Sequence, residues 1–448
     1  MRKREKRNRK KQDRGIVDFM MVTNHFFHSL RKWILEMDDP RNPSYITYSQ
    51  ADLNYMAILK NVCGQHTMRE MDENFNKETC IDTLRILSGH QTLEEMPHYD
   101  TLNNYLERLP PECLSELRRK MVGSLIRGKQ FNRNRLLGKY WRVILDGTGL
   151  FCFHEKHCEN CLCTERRADD GKKEKLYYHK VLEAKIVLSD SIVISLGTEF
   201  IENEKEDVEK QDCETNAAKR LMERIKKDYP KLPICIQGDA LYATEPMMKL
   251  CREYHWEYIF TQKETRQKLL DEGFEWIKSG GAKKINGLCG EKGTGCCANH
   301  VEEVAGKKEA MNVFEYEYEK EDKKGKKHRA RFRWISSLEL TEKNLEEMIL
   351  AGRGRWKIEN EGFNNQKNGV YRIEHLNSRN SNAMKNHYLL TQISDILMQL
   401  YLAWNPYIKK LKQTVKNTSS GLLESFRRQT VTAEDVSYIY RYTTVYLE

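Results

Sequence analysis

Two hydrophobic periods divide this chain of 448 residues. From Gly15 to about Lys129 apolar side chains return every three or four positions, as in Ile16, Phe19 and Met20 and again through Leu53, Met56, Ala57 and Leu59. That spacing puts them on one face of successive helices, so an all-α N-terminal domain is expected over 16–130. Asp82-Thr83-Leu84 and Asp100-Thr101-Leu102 read as capped helix starts. Ser88-Gly89-His90 is a candidate joint of a helix-turn-helix, a pairing that any helical bundle also contains.

From 138 to 265 the period shortens to that of strands. Runs of β-branched and aromatic residues predict strands over 138–146, 180–188 and 192–201, the last two forming a hairpin at Ser189-Asp190. A helix over 213–227 follows, with Ala217, Leu221 and Ile225 at helical spacing, then a strand at 233–238, a helix at 245–254 and a strand at 256–262. Three strands, helix, strand, helix, strand is the succession of an α/β, ribonuclease-H-like domain. Gly-rich turns and strand-like runs at 311–318 and 329–336, joined by Lys323-Lys324-Gly325-Lys326-Lys327, predict a β-rich insertion over 266–345. The stretch 375–404 is helical, and its stripe of Leu389, Ile393, Ile396, Leu397, Leu400 and Tyr401 reads as packing on the sheet. The expected plan is a mobile arm (1–15), a helical domain (16–130), an α/β core in two parts (131–265 and 346–405) around the insertion, and a helical tail (406–448).

Two of the predicted strands end on an acid. Trp141-Arg142-Val143-Ile144-Leu145 leads to Asp146-Gly147, and Ile234-Cys235-Ile236-Gln237-Gly238 leads to Asp239. If these strands are neighbours, both carboxylates share one edge and repel each other unless a divalent cation lies between them. Arg355-Trp356-Lys357-Ile358-Glu359-Asn360-Glu361, on a predicted helix, offers the third acid.

Together these blocks resemble the catalytic blocks of insertion-sequence DDE transposases, the cut-and-paste group with a Tyr-x2-Arg-x3-Glu-x6-Lys signature. Asp146 and Asp239 match the first two acids, Arg355 and Glu359 match the Arg and Glu, and Trp356 lies between them as it commonly does in that group. Gly352 stands at the Tyr position, and Lys367 comes one residue late with Gln366 in its place, so the third acid is Glu359 or Glu361. The resemblance implies two Mg²⁺ or Mn²⁺ ions, Asp146 bridging both, Asp239 holding one and Glu359 the other. It implies strand cleavage at transposon ends and transfer of the 3′ hydroxyl to target DNA, by a homodimer or larger assembly on double-stranded DNA whose N-terminal helical domain binds the element's end. A catalytically inactive, domesticated DNA-binding relative and a structure-specific nuclease of the same fold are the alternatives.

Supporting residues follow from spacing. Arg355 and Glu359, four apart on an α-helix, share a face, where the cation can hold the carboxylate or a phosphate. Trp356 reads as a core residue or as a stacking platform for a base. Arg329, Arg331 and Arg333 share one strand face, with Phe332 and Trp334 between them, which suits DNA or equally a strand with one wet and one buried face.

Charge agrees with a polyanionic partner. Residues 1–14 hold nine Lys/Arg against two acids, a net +7 of the chain's +10, so the body is nearly balanced. No apolar run is long enough to span a membrane and no signal-peptide pattern opens the chain, so a cytoplasmic, nucleoid-associated protein without membrane contact is expected. Thirteen cysteines in such a compartment argue for metal rather than disulfides. Cys158 and Cys161 have a zinc-knuckle gap, with His157, Cys163 and His154 as further candidate zinc ligands; Cys289, Cys296, Cys297 and His300 form a looser set.

Overall fold

The computed structural model describes residues 14–441 apart from 157, 168–172, 204–210, 264–266, 282, 290–292, 303–309, 322–326 and 405–412. The basic arm up to residue 13 and most of the Lys-rich joint therefore lie outside the described residues.

Among the described residues seven α-helices come first: α1 (Gly15–Phe26), α2 (Leu30–Leu35), α3 (Gln50–Val62), α4 (Met68–Phe75), α5 (Glu78–Ser88), α6 (Tyr99–Arg108) and α7 (Pro111–Arg127). Ser49 with Asp52 and Thr67 with Glu70 form reciprocal capping boxes that start α3 and α4. Two expected caps are corrected. Asp82 lies inside α5, where it pairs with Arg85 at 2.6 Å, and α6 is capped by His98 rather than Asp100. Gly89, at φ +78°, ends α5 in the left-handed conformation that glycine tolerates. The next helix starts only at Tyr99, so the connection is longer than the roughly three or four residues of a helix-turn-helix.

The middle of the chain builds one ten-stranded sheet. Its elements are β1 (Trp141–Phe153), β2 (Leu162–Arg167), β3 (Lys173–Val187), β4 (Val193–Ile201), α8 (Glu214–Asp228), β5 (Ile234–Gly238), α9 (Glu245–Glu253), β6 (Glu257–Thr261), α10 (Lys268–Ser279), β7 (Lys284–Leu288), β8 (Gly293–Val301), β9 (Met311–Glu321) and β10 (Lys327–Ser336). The strand order is β2-β3-β1-β5-β6-β10-β9-β8-β7, with β4 also paired to β3. β1, β5 and β6 run parallel, whereas β3 is antiparallel to β1 and β10 to β6. Strands β7–β10 thus extend the same sheet through the β6–β10 pair.

The first strand is longer than its apolar run. Its parallel pairing with β5 stops at Ile144↔Gln237, but pairing with β3 continues through Asp146↔Glu183 and Gly149↔Lys180. Asp146 therefore lies within β1 and not at its end, and it marks where the β1–β5 seam opens.

Six further elements among the described residues close the fold: α11 (Leu345–Arg353), a 3₁₀ turn (Gly354–Trp356) running into a π-helix (Ile358–Gly369), then α12 (Ser381–Trp404), α13 (Val415–Arg428) and α14 (Ala433–Tyr440). The apolar stripe expected on one side of α12 is only part of its contact surface. Polar Asn386, Gln392, Ser394 and Asp395 are buried as well, because the helix is wedged between α3, α6 and α7 on one side and β4 on the other. One hydrophobic cluster consequently runs from Leu59 and Leu106 through Ile393 to Ile194 and Leu145. No helix among the described residues is long and apolar enough to cross a membrane.

Candidate active site

Parallel pairing sets the first two acids side by side. Asp146 and Asp239 each lie two residues beyond the last paired positions, Ile144 and Gln237, so they stand at the same level at the opening of the seam. The Asp239 carboxylate accepts the Leu241 amide at 2.7 Å, and Asp146 accepts the Gly147 amide at 3.0 Å. Burial pushes the Asp146 carboxyl up to about 6, and the negative charges of Glu214 and Asp239 push the same way, against the pull of Arg355.

Glu214 is the acid that the sequence reading missed. As the first residue of α8 it accepts a 2.5 Å bond from Lys180 Nζ on one oxygen and a 2.6 Å bond from the Tyr242 hydroxyl on the other. The glycines flanking the aspartates make room for this group. A Cβ on Gly147 would collide with the Glu214 carboxylate, and one on Gly238 would come within 2.6 Å of the buried Tyr242 ring. The Gly next to each Asp was therefore the available signal, because each marks a close approach as well as a turn.

The third block departs from the expected α-helix. The chain tightens to a 3₁₀ turn at Gly354–Trp356 and then widens into a π-helix, a rare form that concentrates at functional sites. Spacing by four no longer implies a shared face, and Arg355 Nη1 lies 3.5 Å from Asp146 Oδ2. Glu359 is exposed in the first turn of the π-helix. Its neighbour Ile358 and Phe363 pack with Ile144, Val187 and Val193, which anchors this helix two residues before Asp146. The side chain of Glu361 lies outside the described residues. The carboxylates of Asp146, Asp239 and Glu359 do not close on one another, because the cysteine group described below is the one trio of His, Cys, Asp or Glu among the described residues whose ligand atoms all lie within 4.8 Å.

Trp356 is 51 % exposed, so it is not a core residue, and the Arg355 guanidinium lies 5.6 Å from its ring centre. The signature Tyr position is closed to any side chain, since a Cβ on Gly352 would come within 2.6 Å of the buried Trp334 indole. Gln366 points into the interior, donating to Asp395 at 3.0 Å, while Lys367 turns outward to Glu374 at 2.9 Å.

Arg329, Arg331 and Arg333 do share a face of β10, but the β9 register puts Glu319, Glu317 and Glu315 opposite them. Arg329 pairs with Glu317 at 2.6 Å, Arg331 with Glu315 at 2.5 Å and with Glu275, and Arg333, only 6 % exposed, with Asp271, Glu275 and Glu315. Of the two readings left open by the sequence, this face is charge-paired rather than openly basic.

Among the described residues Cys158 and Cys161 meet His179 of β3, which was not among the candidate ligands. Cys163 is held on β2 by backbone bonds to the Gln211 side chain, His154 lies 3.8 Å from Glu174, and His157 lies outside the described residues.

A mixed α/β protein with two aspartates at the open seam of a parallel strand pair is the class so defined. The family model for the transposase DDE domain matches residues 138–394, and the chain belongs to that family. Among curated proteins none matches. Six chains of known structure match. One of them, in the cryo-EM structure of the piggyBac transposase synaptic complex with hairpin DNA, aligns over 94 % of this chain and 80 % of its own length, at 11 % identity and a TM-score of 0.38.

Proposed function

We propose that this chain cleaves DNA at the ends of a mobile element and transfers the freed 3′ hydroxyl to target DNA, using a ribonuclease-H-like core. The observation that carries the reading is the register that levels Asp146 with Asp239 on adjacent parallel strands. The succession β1, β3, β4, α8, β5, α9, β6 supports the core, with β2 as an addition.

The acids fit divalent cations. They are hard oxygen donors, and the Asp146 carboxyl is raised first by burial and then by the charges of Glu214 and Asp239, both of which a bound cation would offset. Asp146, Asp239 and Glu359 would hold Mg²⁺ or Mn²⁺, which would supply a deprotonated oxygen nucleophile and stabilise the leaving oxygen of a phosphodiester. Lys180 and Tyr242 hold Glu214 in place beside them. Arg355 is positioned to bind the phosphate next to Asp146, and exposed Trp356 presents a face on which an unpaired base can stack. On this reading residues 16–130 bind the element's end, 266–345 are the insertion, and a homodimer brings two ends together in the nucleoid.

Purified protein incubated with a DNA carrying the element's ends tests this. Asp146→Asn and Asp239→Asn should each remove Mg²⁺- or Mn²⁺-dependent cleavage while end binding in a gel shift stays intact. Retained cleavage by either variant would sink the reading. An inactive relative, suggested by Gln366 at the signature Lys position, binds the ends but leaves them uncut in the wild type. A nuclease cuts them without joining products on a plasmid target.

A further inference from the structure

The cysteine group sits on a crossover that brings little apolar side chain of its own. The crossover from β1 to β2 passes over β3, since Tyr178 of β3 pairs with Cys152 on one side and with Leu162 on the other. Between them, His154-Glu155-Lys156 and Cys158-Glu159-Asn160 supply no aliphatic or aromatic hydrocarbon side chain to bury. Yet the crossover ends on the buried pair Cys161 and Leu162, against a His179 that is itself buried.

Three donor atoms converge there from separate segments. Cys158 Sγ lies 3.3 Å from Cys161 Sγ and 3.2 Å from His179 Nε2, and Cys161 Sγ lies 3.5 Å from the same nitrogen. Tetrahedral Zn–S and Zn–N bonds would separate such donors by about 3.5 to 3.8 Å, so the trio needs to open by no more than roughly half an ångström to take the ion. The loop backbone is already fixed by side-chain bonds at the foot of β4. Asn203 donates to the Cys161 carbonyl at 3.0 Å, and Asn160 donates to the Asn203 carbonyl at 3.1 Å.

Donor chemistry selects the ion. Two thiolates and an imidazole favour Zn²⁺ and disfavour the Mg²⁺ suited to the carboxylates, and two thiolates balance a 2+ charge in a buried place. We propose that Cys158, Cys161 and His179 form the core of a structural zinc site that staples the β1–β2 crossover onto β3. Its position gives it a consequence for the acids. β1 carries Asp146, and Lys180, which grips Glu214, directly follows His179.

The full chain, purified under reducing conditions without added metal, should carry one zinc per chain by elemental analysis. Cys161→Ser and His179→Ala should lose it, and Cys163→Ser should keep it. Replacement by Co²⁺ should give a thiolate-to-cobalt charge-transfer band and the intense visible bands of tetrahedral cobalt. Should the variants fail to fold, the wild type decides. A chelator selective for zinc over magnesium should lower its thermal midpoint, and zinc should restore it. Folded wild type without metal, a Cys158–Cys161 disulfide in that preparation, or zinc lost with Cys163→Ser would each overturn the proposal.

Discussion

His387 couples the fold to pH through one sealed nitrogen. The residue keeps some surface exposure, but its Nε2 is shut off from solvent and has no hydrogen-bond partner among the described residues. Burial, together with the Lys60 charge and the neighbouring His375, lowers its pKa to about 3. The unfolded chain takes up a proton near pH 6.5 and the folded chain does not, so stability is full above that value and falls as pH drops towards 3. Between pH 6.5 and 5 the loss is about 2 kcal/mol. Urea unfolding of the wild type should show this decline on going from pH 7.5 to 5, and His387→Asn should decline less by about that amount. Equal slopes would refute the assignment. Nothing in the sequence marks His387, because its environment is made by burial and by Lys60, far away in the chain, as well as by His375. Asp146 and Asp239 were readable because each interrupts an apolar run. Glu214 and His179 were not, since an acid opening a helix and a histidine in a strand are ordinary until the fold brings in Tyr242 or Cys161.

Elements with a strong apolar period were legible and polar ones were not. β2, with Leu162 followed by Cys163-Thr164-Glu165-Arg166-Arg167, and β7, with two apolar residues among five, carry too little alternation to be seen. The pitch change after α11 was hidden for another reason. Arg355 and Glu359 fit an α-helix perfectly well on spacing, and tertiary packing of Ile358 on Ile144 decides otherwise. Gly352, in α11, makes the same point energetically. Alanine there gains about 1 kcal/mol in helix propensity, whereas forcing its methyl against a buried indole costs about 1–3 kcal/mol. Trp334 is stacked 5.1 Å from Phe314 and 5.9 Å from Phe332 by ring centres, so it cannot swing aside. Gly352→Ala should therefore destabilise the protein by up to about 2 kcal/mol in chemical unfolding. In a Trp334→Leu background the same change should be neutral or stabilising, and an unchanged penalty there would show that the indole is not the obstacle.

At the scale of the whole molecule, the helical segment and the sheet are tied by a buried polar bridge as well as by a shared core. Arg118 of α7 donates to Ser195 Oγ at 2.9 Å and to Thr198, and both hydroxyls donate onward to Glu183 of β3, at 2.6 Å from Ser195. Arg118 and Glu183 are both buried, and this bridge connects the two charges. Removing one partner of a buried pair costs about 3–5 kcal/mol, whereas removing both charges together costs much less. Arg118→Met should therefore be strongly destabilising, and Arg118→Met combined with Glu183→Gln should recover a large part of the loss. The bridge also fixes how the loss is distributed. Asn386 of α12 donates to the carbonyls of Leu106 and Leu109, and Gln399 of the same helix donates to Val193 of β4, so no surface between helices and sheet is free to part first. Unfolding followed by far-ultraviolet dichroism and by tryptophan fluorescence should give one coincident transition in the wild type and in Arg118→Met. Helical signal that outlasts the tryptophan change would mean that residues 16–130 fold as a separate unit, and that the orientation of an end-binding segment towards Asp146 and Asp239 is set by something other than this core.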